Sequence, residues 1–192
     1  METQTDASAP PDLNDPQQRT AWFTGTPDPW QEIVGLSYGG DRTHAMAVER
    51  RVRSAEPAQH AEMERKLIAA LEHPELTGAG RRFVCEMLGY VGSAVCVPVV
   101  ARLLESERTV DHARMALDRI EDASVDTAYR GVLGKLRGAA KAGLIGSIAM
   151  RGDREALGKL REIAGDVKES DVVRSVAARA VERLERREEV AR

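Results

Sequence analysis

The chain is short of aromatics, cysteine and net charge, and each shortage narrows what it can be. Aromatic residues fill 4% of 192 positions, too few to pave a groove with the stacking platforms that single-stranded nucleic acids need. Net charge is −3, whereas a domain that grips nucleic acid normally declares itself as basic. The two cysteines, Cys85 and Cys96, lie inside apolar stretches with no histidine or second cysteine at ligand spacing. They read as buried free thiols, not as a disulfide or a metal site. No stretch alternates with period two over a useful length, so no sheet is expected. No apolar run is long enough to span a bilayer and no secretory core opens the chain. A cytoplasmic protein without membrane contact is the expectation.

Catalytic signatures are missing as well. The chain holds no HExxH, CxxC, GxSxG or GxxxxGK(S/T), and no GxGxxG between a strand and a helix. His44, His60, His73 and His112 fall on different helices or helix ends. No metal, cofactor or enzymatic activity is expected. Gly131, Gly134, Gly138, Gly143 and Gly146 imitate a phosphate loop at first sight. Their spacing within helical patterns reads better as close helix–helix approach.

What the chain does have is apolar spacing of the i, i+3, i+4, i+7 kind, broken at short intervals by caps and turns. Residues 1–27 stand apart. They hold Pro10, Pro11, Pro16 and Pro27, and Glu2, Asp6, Asp12 and Asp15 against Arg19 alone. That accounts for the whole −3, leaving 27 of the 28 basic and 27 of the 31 acidic groups in the remainder. Such a segment buries too little apolar surface to offset its ordering entropy, and reads as a disordered tail. Trp22 and Phe23 interrupt it, either to cover the end of the folded part or to dock a partner.

Regular structure is expected from Asp28, which caps a helix with proline at its first position. Asp41 caps a second, with Met46, Val48 and Val52 inward. Residues 28–56 thus form an atypical first pair. Four further pairs follow over 57–192: Pro57 to His73 with Thr77 to Leu88; Ala94 to Glu105 with Val110 to Ile120, capped by Thr109; Val125 to Leu136, capped by Ser124, with Ala139 to Met150; and Arg154 to Ala164, capped by Asp153, with Asp171 to about Glu189, capped by Ser170. Beyond Leu184 the last helix is polar on all sides, as a terminal cap requires.

Within this run the chain repeats itself. Leu88, Gly92, Ser93, Val97, Val100 and Leu103 are matched sixty positions later by Ile148, Gly152, Asp153, Leu157, Leu160 and Ile163. Leu117, Ile120, Ser124 and Val132 occupy the half-way point, so the unit is about thirty residues, the length of a solenoid repeat.

The segment LGYVGSAVCVPVVARLL, followed by ARMALDRI, resembles the HEAT-repeat family, in particular short bacterial repeats of the kind found in phycobilisome-lyase-like proteins. Leu88-Gly89, Gly92-Ser93 and Val97-Pro98 match its pattern well. Gly152-Asp153 and Leu157 match without the proline, and Ser124 to Leu136 matches loosely. The resemblance covers Pro57 to Leu184 and implies an all-α, right-handed α-solenoid of about five antiparallel helix pairs. It is nearly silent on function, because these positions pack repeats together.

In such a fold the second helices line the concave face, the default binding surface. Arg81, Arg82, Tyr90, His112, Arg114, Lys141, Met150 and Arg174 are the candidate binding residues there. A mostly basic groove suits another protein or an acidic peptide segment, so the expected function is a non-catalytic scaffold, monomeric or weakly dimeric. Two alternatives remain at this level: a nucleic-acid module resembling the alkylpurine DNA glycosylases, and a bilin-holding accessory protein resembling the lyases.

Overall fold

A computed structural model describes residues 27–191, and side chains up to residue 186. Trp22 and Phe23 lie outside the described residues. Within them the chain is all helical, with ten α-helices, three 3-10 segments and no strand.

The first pair is short. Asp28 accepts a hydrogen bond from the Trp30 amide and Pro29 fills the first turn of α1, Pro29–Glu32, which tightens into a 3-10 segment, Ile33–Gly35. Helix α2, Thr43–Arg53, follows. Asp41 acts as expected, its carboxylate accepting from the Thr43 amide at 2.9 Å and hydroxyl at 2.7 Å. Its neighbour Met46 departs from the expectation. Ala45, Val48 and Val52 are buried, whereas Met46 is 60% exposed. Val48 and Val52 thus face inward as expected, and Ala45 takes the place of Met46 on the buried stripe.

Helix α3, Pro57–Leu71, opens with a capping box between Glu56 and Gln59. Helix α4, Gly78–Val91, is capped by Thr77, whose hydroxyl accepts from the Gly80 amide and donates to the Leu36 carbonyl at 2.5 Å. A Cβ at Gly80 would strike the carbonyls of Ile33 and Val34, so glycine there lets α4 lie directly on the first pair.

The next helix starts later than its sequence predicts. Ala94 to Cys96 form a turn, α5 covers only Val97–Ala101, and Arg102–Glu105 continues as a 3-10 segment. A buried acid explains the delay. Glu64 of α3, 4% exposed, accepts from the Ser93 amide at 2.7 Å, its hydroxyl at 2.8 Å and the Cys96 amide at 3.1 Å. It thereby supplies a partner to the Ser93 amide and shares the Cys96 amide with the Ser93 carbonyl, just ahead of the helix. Helix α6, Val110–Leu117, is also shorter than expected, and Thr109 donates to the Leu103 carbonyl instead of capping it. Helix α7, Ala123–Val132, is capped by Asp122, two residues ahead of the expected Ser124, whose amide donates to the Asp122 carboxylate.

Helix α8, Gly138–Arg151, ends at Gly152, whose φ of 81° is the left-handed conformation that closes helices. Asp153 caps the 3-10 segment Arg154–Ala156 that leads into α9, Leu157–Gly165. Helix α10, Asp171–Ala191, is the longest, and Ser170 accepts from the Val173 amide at its start.

Helices α2, α4, α6, α8 and α10 pack in that order, each against the next, and α3, α5, α7 and α9 pack against the α-helices that follow them. The core runs along this seam: Val84, Leu88, Leu117, Leu144, Ile148, Val173 and Leu184 are fully buried. The sixty-residue correspondence holds in burial at two of its apolar pairs, Leu88 with Ile148 and Val100 with Leu160, all fully buried. Cys85 and Cys96 are buried free thiols, each pushed up to about 12 chiefly by burial. No helix among the described residues is long and apolar enough to cross a membrane.

Candidate functional site

The exposed side of α2, α4 and α6 carries an arginine–tyrosine–arginine stack. Tyr90, near the end of α4, has the Arg53 guanidinium of α2 at 4.5 Å from its ring centroid and the Arg119 guanidinium, just past α6, at 4.7 Å. Both cations are attracted to the ring's negative faces. A side chain at Gly89 would strike the Met115 carbonyl, so α4 and α6 approach closely at this point and Arg119 can reach the ring. Arg53 also donates from Nε to Glu49 at 2.8 Å, whereas Arg119 forms no ion pair among the described residues. Two turns earlier on the same stripe of α4 stands Arg82, exposed, beside a small cleft lined by Leu36, Tyr38 and Arg42.

Arg81, Arg82 and His112 come together at the α4–α6 interface. Half-burial holds the His112 imidazole below its ordinary value, and the charges of Arg81 and then Arg82 push it the same way, against Asp111. Its Nδ1 is buried and makes no hydrogen bond among the described residues. Such a group protonates less readily folded than unfolded, so its contribution to stability is complete above the ordinary histidine value of about 6.5. That contribution is lost as pH falls below it. Thermal unfolding between about pH 7.5 and about pH 5.5 is expected to show a smaller drop in melting temperature for His112→Gln than for wild type. An unchanged drop would assign the pH dependence to other groups.

The remaining candidates are engaged inside the protein. Arg114 donates from Nε to Ser147 at 2.8 Å and from Nη1 to Asp111 at 2.8 Å. Ser147 donates to Asp118 at 3.0 Å, and the buried Tyr129 hydroxyl donates to the same carboxylate at 2.7 Å. The chain ties α6, α7 and α8 together and raises the Tyr129 hydroxyl, by burial first and by the Asp118 charge second. Lys141 is buried, with its ammonium on Glu169. Arg174 donates to Asp171 at 2.5 Å, with its Nε buried. Met150, 63% exposed, edges a cleft of about 760 Å³ between α6 and α8 that Arg114, Asp118 and Glu121 also line.

The structure therefore brings Arg81, Arg82 and His112 to one place and Arg114 and Met150 to another, while Lys141 offers no charge to solvent. Among the five glycines expected at a close helix approach, Gly131, Gly134, Gly138 and Gly146 have open space where a Cβ would lie. Only Gly143 is crowded, by the Arg114 guanidinium.

No protein-family model, curated protein or solved structure matches the chain. The site rests on its own geometry. Sequence reasoning paired Tyr90 with neither of its arginines. Arg53 and Tyr90 lie thirty-seven residues apart on different helices, which helical spacing alone cannot bring together. Glu64 was missed too, although it precedes Leu67, Ile68 and Leu71 at three, four and seven residues. An acid on an apolar stripe was the signal.

Proposed function

We propose that the chain is a right-handed, HEAT-like α-solenoid that holds an acidic peptide or protein segment on its second-helix face, without catalytic activity. The repeat architecture is supported by several polar links between helices about thirty residues apart in the chain. Glu72 to Arg102 and Glu105 to Lys135 span 30 residues, Glu64 to Ser93 and Asp118 to Ser147 span 29, and Lys141 to Glu169 spans 28. Each link fastens one thirty-residue unit to the next, as stacked repeats require.

The observation that carries the binding reading is the Arg53–Tyr90–Arg119 stack, which crosses three successive second helices. The ring holds both guanidinium groups in place, so less side-chain freedom is lost when a carboxylate arrives. Arg82 extends the row. Single exposed ion pairs contribute roughly 0–1 kcal/mol each, so affinity must come from several acting together.

A fluorescein-labelled peptide of mixed glutamate and aspartate provides the test, by anisotropy at low and moderate salt. Combined Arg53→Gln, Arg82→Glu and Arg119→Glu substitution is expected to weaken binding about tenfold or more, and each single change only a few-fold. Circular dichroism should be unchanged, because all three side chains are exposed. Equal affinity in the folded triple variant would remove the basic-face reading. Tighter binding to duplex DNA of similar charge, with a steep salt slope, would favour a nucleic-acid module instead.

A further inference from the structure

We propose that the cleft between α1 and α3 binds a small organic cation, an amine or quaternary ammonium with an apolar body. The inference goes beyond the acid-binding reading of the second-helix face and does not rest on it.

Space is the first argument. The cleft has a volume of about 650 Å³, within the roughly 300–1,000 Å³ of small-molecule sites. One wall is α1 with its 3-10 extension, and the other is the end of α3 with the turn that follows. Trp30, Val34, Ala69 and Ala70 form its apolar lining. A Cβ at Gly35 would meet nothing within 4 Å. Small residues on both walls thus leave room for a ligand.

The aromatic wall is the second. Trp30 is buried, so packing fixes its indole. The ring already receives one ammonium: Lys66 Nζ lies 5.4 Å from its centroid, within reach of a cation–π attraction. Lys66 is itself exposed and paired with Glu62, one turn away at 2.8 Å. A ligand cation can therefore take the ring while Lys66 keeps its carboxylate.

Charge is the third. Asp28, Glu32 and Glu75 line the cleft, and no arginine does. The clefts beside Arg82 and between α6 and α8 carry two arginines each. The side chains of Glu32 and Glu75 make no hydrogen bond or ion pair among the described residues, and the Asp28 carboxylate accepts only from the Trp30 amide. His73 does not oppose them. Its Nδ1 accepts from the Glu75 amide at 3.2 Å, which requires that nitrogen to be unprotonated and the ring uncharged. The lining thus sets three carboxylates against one ammonium that Glu62 already offsets. Exposed carboxylates without partners occur elsewhere; here they meet an aromatic wall and a cavity of ligand size.

The test titrates the full chain with benzyltrimethylammonium and follows the Trp30 indole N–H and the Gly35 and Ala69 amides by NMR. These signals should shift together, with a Kd on the order of 1 mM or tighter, while those of α9 stay in place. Benzyl alcohol and benzoate should bind about tenfold more weakly or not at all. Glu32→Gln with Glu75→Gln should weaken cation binding several-fold, and Lys66→Met should strengthen it several-fold by clearing the ring. Ala69→Leu, at an exposed position of α3, should fill the cleft and abolish the shifts with circular dichroism unchanged. Unmoved cleft signals, equal affinity for benzyl alcohol, or cation affinity that survives neutralisation of both glutamates overturns the proposal. Weaker binding by Lys66→Met would show that the ring is not the seat of the cation, and overturns it as well. Tighter binding of a peptide carrying trimethyllysine than of the free cation would assign the cleft to a protein side chain and overturn the small-molecule assignment.

Discussion

Leu117→Ala is expected to lower the unfolding free energy by about 2–5 kcal/mol, and Leu88→Ala by a similar amount. Leu117 closes α6, which packs against α4 on one side and α8 on the other. Its side chain is fully buried, and its carbonyl accepts from Arg151 of α8 at 3.3 Å. The backbone there is held by neighbouring helices, so the cavity left by truncation cannot collapse freely and its cost adds to the lost transfer energy. Leu88 is in the same position on α4, fully buried. Met46→Ala is the control: at 60% exposure it should stay within about 0.5 kcal/mol of wild type. Urea denaturation reads all three. A wild-type midpoint for Leu117→Ala would mean that the seam between α4, α6 and α8 is not where the core lies.

Lys141→Met is expected to cost about 3–5 kcal/mol, and Lys141→Glu more, to the point of preventing folding. Lys141 is 6% exposed, and its ammonium meets Glu169, whose side chain is 18% exposed. Removing the cation leaves a carboxylate with little water to replace it. Reversing its sign adds repulsion in a region of low dielectric. Replacing both partners, Lys141→Met with Glu169→Leu, should recover most of the loss, because two apolar side chains of similar volume need no pairing. A double-mutant cycle in urea is the measurement, and additive losses would show that the pair is not coupled. The result also bears on function: charge reversal at Lys141 would weaken binding by unfolding the protein, not by emptying the face.

The helices were largely legible because period and punctuation agree along the chain. Asp41, Asp153 and Ser170 cap as their positions predict, and Gly152 closes α8. Boundaries failed where a distant side chain takes over a local role. Residues Ala94 to Cys96 read as the start of a helix, but Glu64, about thirty residues earlier, accepts from the Ser93 and Cys96 amides just ahead of it. Thr109 reads as a cap, but the Leu103 carbonyl is a nearer claimant for its hydroxyl. Leu133 and Leu136 read as helix, yet are buried beyond the end of α7.

The candidate site was legible only in outline. Arg81, Arg82, Tyr90 and His112 do stand on α4 and α6, since helical spacing alone assigns residues to a stripe. Spacing cannot say which stripe of one helix meets which stripe of another. Arg53 and Tyr90 are far apart in sequence and adjacent in space, and only the crossing of α2 over α4 makes them a stack.

The sequence by itself determined that the described residues are helical and where several of the caps stand, because those follow from interactions within four residues of chain. Tertiary structure decided what became of the charges. Lys141 and Arg114 look like surface residues on their own helices, and each is claimed by a partner 28 to 33 residues away. Arg82 and Arg119 have no such partner among the described residues and stay available. Burial of a charge depends on what the neighbouring helices set against it, and a helix read alone carries no record of its neighbours.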